Sequence, residues 1–222
     1  KRGYKQIKLH EITEAPIKAA RDVAGANLPI MVDCNCPWTV DEAIAMARTL
    51  APLNLKWLEE PVWPPEDHRG IARVQSAGGI AVAAGENAML PDFKSMFEHG
   101  AITYAQPSVT KIGGVTEMRK VMALAEAFGV DVVPHSAYYG PGFLASIHCI
   151  AAMPNESPVE RFDADFAECV EQLEHFAAGN AKGVTHSLFV QRVGNDLGSF
   201  RHGYCSFAES DRCAPDTDEA PA

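Results

Sequence analysis

Three acidic residues recur at almost one interval along this chain, each where a short apolar run ends. Asp33 follows Ile30-Met31-Val32, Glu59 follows Leu55-Lys56-Trp57-Leu58, and Glu86 follows Ile80-Ala81-Val82-Ala83-Ala84-Gly85. The steps from 33 to 59 and from 59 to 86 are each about what one strand, one helix and two short loops consume. If the three strands are neighbours in a parallel sheet, their carboxylates converge at one end, about 5 Å from strand to strand. Like charges that close repel unless a divalent cation sits among them.

Other apolar runs keep the same rhythm. Strands are expected at Lys5–Leu9, Ile30–Asp33, Leu55–Glu59, Ile80–Gly85, Ile102–Gln106, Asp131–Pro134 and Val159–Phe162. Most are apolar throughout, as parallel strands covered on both faces should be. Thr39-Val40-Asp41-Glu42 reads as a capping box ahead of Ile44, Ala47 and Leu50 at helical spacing. Gly113-Gly114 opens a helix through Met118, Val121, Met122 and Ala125 that Gly129 ends. Further helices are expected at about Pro16–Val23 and Pro65–Gln75.

Seven βα-type units point to an α/β fold of the TIM-type (β/α) barrel class rather than an open doubly wound sheet. An open sheet would carry a Gly-rich phosphate turn after an early strand, and Asp33-Cys34-Asn35-Cys36 is unlike one. A barrel needs eight strands, so the expected fold is an incomplete (β/α)7β barrel whose first strand precedes Lys1. The start at Lys1-Arg2-Gly3-Tyr4, without an initiator Met, suggests a fragment or processed product. Residues 1–178 are expected to form the partial barrel and 179–203 an irregular segment. Residues 204–222, polar and acidic with Pro215 and Pro221, are expected to be a disordered tail.

With 222 residues, 47% of them hydrophobic, the chain can bury a sizeable core. No run approaches a membrane span and no signal-peptide pattern is present. A net charge of −10 argues against a nucleic-acid partner. It leaves open an anionic small-molecule substrate, because local charges decide that. The cysteines, at 34, 36, 149, 169, 205 and 213, show no zinc-site spacing. A reduced, cytoplasmic protein is expected.

Asp33, Glu59 and Glu86 are candidate metal ligands on the C-terminal face of the strands, where barrel active sites are built. Three monodentate carboxylates leave half an octahedral shell for water and substrate oxygens, which suits Mg2+, with Mn2+ an alternative. Any one of them alone would read as a helix cap. Lys8 and His10 share one strand face while Ile7 and Leu9 take the other. One could abstract a proton while the other neutralises a substrate carboxylate, or both could be solvated on an edge strand. His135, after Val132-Val133-Pro134, suits acid/base work. Glu160 could be a neutral-acid hydrogen-bond donor or a partner of Arg161, and Asn35 could reach a substrate hydroxyl.

The segments Ile7-Lys8-Leu9-His10, Val32-Asp33-Cys34-Asn35, Trp57-Leu58-Glu59-Glu60-Pro61, Gly85-Glu86-Asn87, Lys111-Ile112-Gly113-Gly114-Val115-Thr116, Pro134-His135-Ser136 and Val159-Glu160-Arg161-Phe162-Asp163 occur in one order. Together, from about Gly3 to Asp163, they resemble the barrel domain of the enolase superfamily, specifically its mandelate racemase branch. The resemblance implies one Mg2+ held by Asp33, Glu59 and Glu86, with Glu60 an outer neighbour. The metal would bind the carboxylate of an acid substrate and stabilise the enediolate left when the α-proton is removed by a Lys or His base. Lys8 and His10 occupy the family's Lys-x-Lys positions, the first expected to hold the substrate carboxylate and the second to act as base. His135 is expected as base or acid on the opposite face, and Glu160 as the group that hydrogen-bonds the developing enediolate.

The chain departs from the family pattern in four ways. His10 replaces the second Lys. Ser108 stands where an Asp orienting the opposite-face histidine is expected. The lid domain and the first strand that the resemblance implies are expected to lie outside these residues, and the segment after Phe166 does not follow the family's closing strands. The activity implied is dehydration of an acid sugar, an aldonate or aldarate, by a lyase that is a homo-oligomer in its full-length form. The alternatives are a racemase or epimerase of a 2-hydroxy acid or amino acid derivative, disfavoured by Ser108, and a truncated, catalytically inactive metal-binding barrel. A Schiff-base aldolase using Lys8 or Lys111 is a third.

Overall fold

A computed structural model of the chain describes residues 6–136 and 140–153. Among the described residues six strands alternate with six α-helices: β1 Ile7–His10, α1 Glu14–Ala24, β2 Ile30–Asp33, α2 Val40–Leu50, β3 Trp57–Glu59, α3 His68–Ala77, β4 Val82–Ala84, α4 Leu90–Glu98, β5 Tyr104–Ala105, α5 Val115–Phe128, β6 Asp131–Val132 and α6 Gly140–Ala151. Every strand pairs in parallel with the next in chain order, so α1 to α5 are each a crossover between neighbours. Among the described residues β1 and β6 form the two edges of the sheet. This is the incomplete parallel barrel expected from the sequence, with six of its seven expected strands in view. The seventh, Val159–Phe162, lies outside the described residues together with the boundaries at 178 and 203 and the acidic tail.

The strands bury both faces, which is why they read as continuous apolar runs. Ile30, Val32, Leu58, Val82, Ala84, Ala105 and Val132 pack outward with the helices in one large core. Met31, Trp57, Ala83 and Val133 form a second, smaller cluster on the other face, with Ala81 and Tyr104 against it. An all-apolar sequence thus resolves into two alternating sets once the pleat is imposed.

Local signals account for most helix boundaries. The capping box forms as read: Thr39 Oγ1 accepts from the Glu42 N–H and Glu42 Oε2 accepts from the Thr39 N–H at 2.9 Å. The helix it opens buries Ala43, Ala47 and Leu50. Gly129 ends α5 in the left-handed region at φ 68°, where a side chain would be strained. The start expected at Pro65 is corrected to His68, because Asp67 rather than a proline supplies the cap: its carboxylate accepts from the Gly70 N–H at 2.9 Å. Helix α1 extends past both expected ends, with Pro16 in its first turn, where the missing N–H costs nothing. No helix among the described residues is long and apolar enough to cross a membrane.

Candidate metal centre

The inner face of the sheet turns polar at the C-terminal strand ends. Residues two positions beyond the inner apolar cluster share its side of the pleat: Asp33 after Met31, Glu59 after Trp57, Gln106 after Tyr104 and His135 after Val133. In β1 the same alternation sends Leu9 into the outer core and leaves Lys8 and His10 facing the acids, with side chains only 12% and 14% exposed. Register does the rest. His10 lies beside Asp33 and Asp33 beside Glu59 across adjacent strands.

Glu86 is out of step with this alternation, and Gly85 explains how it still faces inward. Gly85 takes φ 119°, a conformation that swings the chain after β4 and that side-chain-bearing residues avoid. A Cβ there would also lie 2.5 Å from the Phe93 ring. Conformation and packing both require glycine.

The polar groups are closely interlocked. Lys8 Nζ donates to Asp33 Oδ2 at 3.1 Å and to Glu59 Oε1 at 2.9 Å. Glu59 Oε2 accepts from the Trp57 indole N–H at 2.9 Å. His10 Nε2 is 3.2 Å from Asp33 Oδ2, and its Nδ1 is 2.9 Å from Asn35 Nδ2. Asn35, held at φ 53°, also donates its backbone N–H to Asp33 Oδ1 at 3.2 Å. On the far side, His135 Nδ1 is 3.3 Å from Glu86 Oε2. Glu59, Glu86 and His135 each offer a ligating atom, and these atoms lie within 4.8 Å of one another. Asp33 joins this group from the β2 side through the Lys8 ammonium that it shares with Glu59.

Burial and charge pull the acids apart. Glu59 has no exposed surface, and burial alone would raise its carboxyl; Lys8, with the Gln106 and Trp57 donors, reverses this and draws it down to about 2. Burial first, and the ionised Glu59 second, push Asp33 well above the usual carboxylate range. Burial also raises Glu86, but His135 and Lys111 more than offset it and leave its carboxyl lowered. His10 is lowered to about 3, chiefly by burial and then by Lys8, so its imidazole is neutral near pH 7. Glu60 is raised to about 7 by burial and by Glu86 and Glu59.

The donor set fits a divalent cation. Three buried acids, Asp33, Glu59 and Glu86, share two ammonium groups, Lys8 and Lys111, and a fourth buried acid, Glu60, lies close enough to Glu86 and Glu59 to feel their charge. When all are ionised, that leaves an excess of negative charge of the size one dication supplies. Among the described residues Gln106 Oε1 is a buried acceptor without a hydrogen-bond partner, which a coordinated water or substrate hydroxyl would satisfy. Residues 1–185 match the family model described as enolase C-terminal domain-like.

The chain belongs to the enolase C-terminal domain-like family. It is 40% identical over 145 residues to 3,6-anhydro-alpha-L-galactonate cycloisomerase of Streptomyces coelicolor, covering 65% of this chain and 38% of that protein. It is 33% identical over 161 residues to L-talarate/galactarate dehydratase of Salmonella typhimurium, covering 71% of this chain and 38% of the relative. Among solved structures it resembles L-talarate dehydratase from Polaromonas sp. JS666 complexed with Mg and L-glucarate, at 32% identity and a TM-score of 0.66, covering 77% of this chain and 46% of that one. The chain therefore spans about two fifths of the length of these curated relatives.

Within this enolase-like site the structure brings together Lys8, His10, Asp33, Asn35, Glu59, Glu86 and His135, all singled out from the sequence. Glu160 lies outside the described residues. Glu60 is an outer neighbour: its Oε2 is 3.6 Å from Cys36 Sγ, and its N–H joins the β4 backbone. Ser108 is buried, with Oγ 3.3 Å from Thr110 Oγ1. Three members were not anticipated as such: Trp57 and Gln106, which brace Glu59, and Lys111, which donates to Glu86 Oε1 at 2.9 Å. The position of Gln106 at the end of an apolar run was the available signal. Lys8 and Lys111 both donate to buried carboxylates, which is not the setting of a Schiff-base lysine.

Proposed function

We propose that the chain supplies the catalytic machinery for Mg2+-dependent removal of the proton α to a carboxylate, acting on an acid sugar and most directly dehydrating an aldonate or aldarate. The observation that carries this reading is the in-register row His10, Asp33 and Glu59, faced by Glu86 and His135. It sets a basic group on either side of a cluster of carboxylates. Asp33, Glu59 and Glu86 would hold Mg2+, with Mn2+ an alternative. When bound, the cation would neutralise the charge that gathers on the substrate carboxylate as the α-proton leaves.

In this reading Lys8 pairs with the substrate carboxylate. His10, kept neutral by burial, takes the α-proton at Nδ1, while Asp33 beside Nε2 would stabilise the resulting imidazolium once a bound cation holds its carboxylate ionised. Asn35, next to Nδ1, is in reach of a substrate hydroxyl. His135 returns a proton to the departing β-oxygen, and Ser108 suits this role: donating asks less basicity of the imidazole than abstraction, so no Asp partner is needed. Glu160 would hydrogen-bond the substrate oxygens as negative charge develops. The acid would be the small-molecule partner of a protein that assembles as a homo-oligomer in its full-length form.

A second outcome of the same chemistry is favoured by the cycloisomerase relative. If the β-oxygen belongs to an ether ring, its departure opens the ring without loss of water, and the net reaction is an isomerisation. The test is incubation of the purified chain and Mg2+ with aldonates, aldarates and 3,6-anhydro-aldonates in D2O, followed by mass spectrometry. Dehydration gives a product lighter by one water with deuterium at the β-carbon, ring opening an isomer with deuterium at the β-carbon, and racemisation substrate with deuterium at the α-carbon alone, positions that fragmentation assigns. No turnover or exchange with any of them would refute the proposal for this chain.

A further inference from the structure

Lys111 has no part in the proton chemistry above, yet it is built into the site. It lies in the turn between β5 and α5, where the N–H groups of Lys111 and Ile112 both donate to the Ser108 carbonyl, at 3.0 and 2.9 Å. Ile112 is buried and pins this turn to the outer core. From there Lys111 Nζ reaches across to the end of β4 and donates to Glu86 Oε1 and to Asn87 Oδ1, each at 2.9 Å. Asn87 Nδ2 donates to the same Glu86 Oε1 at 3.1 Å. One oxygen of Glu86 therefore carries two donors, while the other, Oε2, faces His135.

A carboxylate free to rotate can offer a cation one oxygen or both. Mg2+ requires a near-ideal octahedron and favours single-oxygen ligands that leave room for water and substrate. Ca2+ accepts six to eight oxygens and readily takes a carboxylate in the bidentate mode. We propose that Lys111 is a positioning residue that ties off Oε1 of Glu86, restricts this carboxylate to one-oxygen ligation and so favours Mg2+ over Ca2+. The inference rests on the reading of Glu86 as a metal ligand.

The sign of the effect separates positioning from simple charge. An ammonium acting only as a charge repels a nearby cation, so its removal would tighten the binding of every divalent ion. An ammonium that orients the ligand does the reverse for Mg2+. Calorimetric titration of the purified chain with Mg2+ and, separately, with Ca2+ distinguishes them. Lys111→Met is expected to lose about 10–100-fold in Mg2+ affinity, as outer-shell substitutions do, with Ca2+ affinity retained, so that the Mg2+/Ca2+ ratio falls by about tenfold or more. Lys111→Arg should recover most of the Mg2+ affinity, because a guanidinium can donate to the same oxygen. Lys120→Met, which removes an exposed lysine paired with Glu117, should match the wild type. If Lys111→Met does not fold, Lys111→Gln takes its place.

Unchanged or tighter Mg2+ binding without Lys111, or an equal loss for both cations, overturns the proposal. Glu86→Gln serves as the reference. If it weakens Mg2+ binding and the Lys111 variants do not, Lys111 alone loses its role. If the wild type binds no Mg2+, or Glu86→Gln leaves the affinity intact, the metal centre itself is wrong and this inference falls with it.

Discussion

Glu59 joins full desolvation to close compensation: it has no exposed surface, an ammonium at 2.9 Å and an indole N–H at 2.9 Å. Its replacement by Gln keeps the shape and removes the charge. Mg2+ binding by Glu59→Gln is expected to fall by at least two orders of magnitude in calorimetric titration, and an unchanged affinity would contradict its place among the ligands. His10→Ala and His135→Ala are expected to cost about 10²–10⁴ in turnover, the usual worth of a general acid or base, while Mg2+ affinity is kept. His135 carries the sharper test, since it stands within ligating distance of Glu59 and Glu86. A His135→Ala variant that loses Mg2+ would make it a ligand. Glu60 gives a pH signature in metal-free protein. Its carboxyl is at about 7 in the folded state against 4.5 ordinarily, so the native state holds the extra proton between those values. Stability from this group therefore falls as pH rises from 4.5 to 7, by on the order of 3 kcal/mol. Chemical denaturation in a chelator should show that decline in the wild type and a shallower one in Glu60→Gln.

Elements whose ends carry their own chemistry were legible in advance. The helix after Thr39 and the one between Gly114 and Gly129 begin and stop where capping and left-handed geometry require. Thr39→Ala is expected to cost about 1 kcal/mol in denaturation, the usual worth of an N-cap. Helices α4 and α6 were not read from the sequence. In α4 the entry residue is Met89, which has no capping oxygen; the pairing is instead its backbone N–H with Asp92 Oδ2 at 2.8 Å. Strand ends were overextended for a related reason, because apolar character continues past the last ladder bond. Ile80–Gly85 is expected as one strand, whereas the strand observed is Val82–Ala84. Gly85→Ala should expose this junction. It places a methyl against Phe93 at a positive φ, and the variant is expected to lose about 2–4 kcal/mol of stability and much of its Mg2+ affinity, because Glu86 is turned away.

At the scale of the whole molecule, the excess of buried negative charge means that cation and fold should be linked. A ligand that binds only the native state stabilises it by about 2.7 kcal/mol at a hundred times its Kd. Thermal unfolding should therefore shift upward by several degrees with saturating Mg2+, and the shift should vanish in Glu59→Gln. The absence of any Mg2+-dependent shift in the wild type would argue against a centre formed by these strands. The sequence by itself determined the parallel βα order, the two-sided burial of the strands and the identity of the inward acids and bases, because period, spacing and caps are local properties of the chain. It did not determine which donors brace them. That Gln106 holds Glu59, that Lys111 ties one oxygen of Glu86, and that Asn35 sits on His10 follow from contacts between strands and turns far apart in the chain. Such contacts depend on register, twist and the turn at Gly85, and only the assembled sheet decides them.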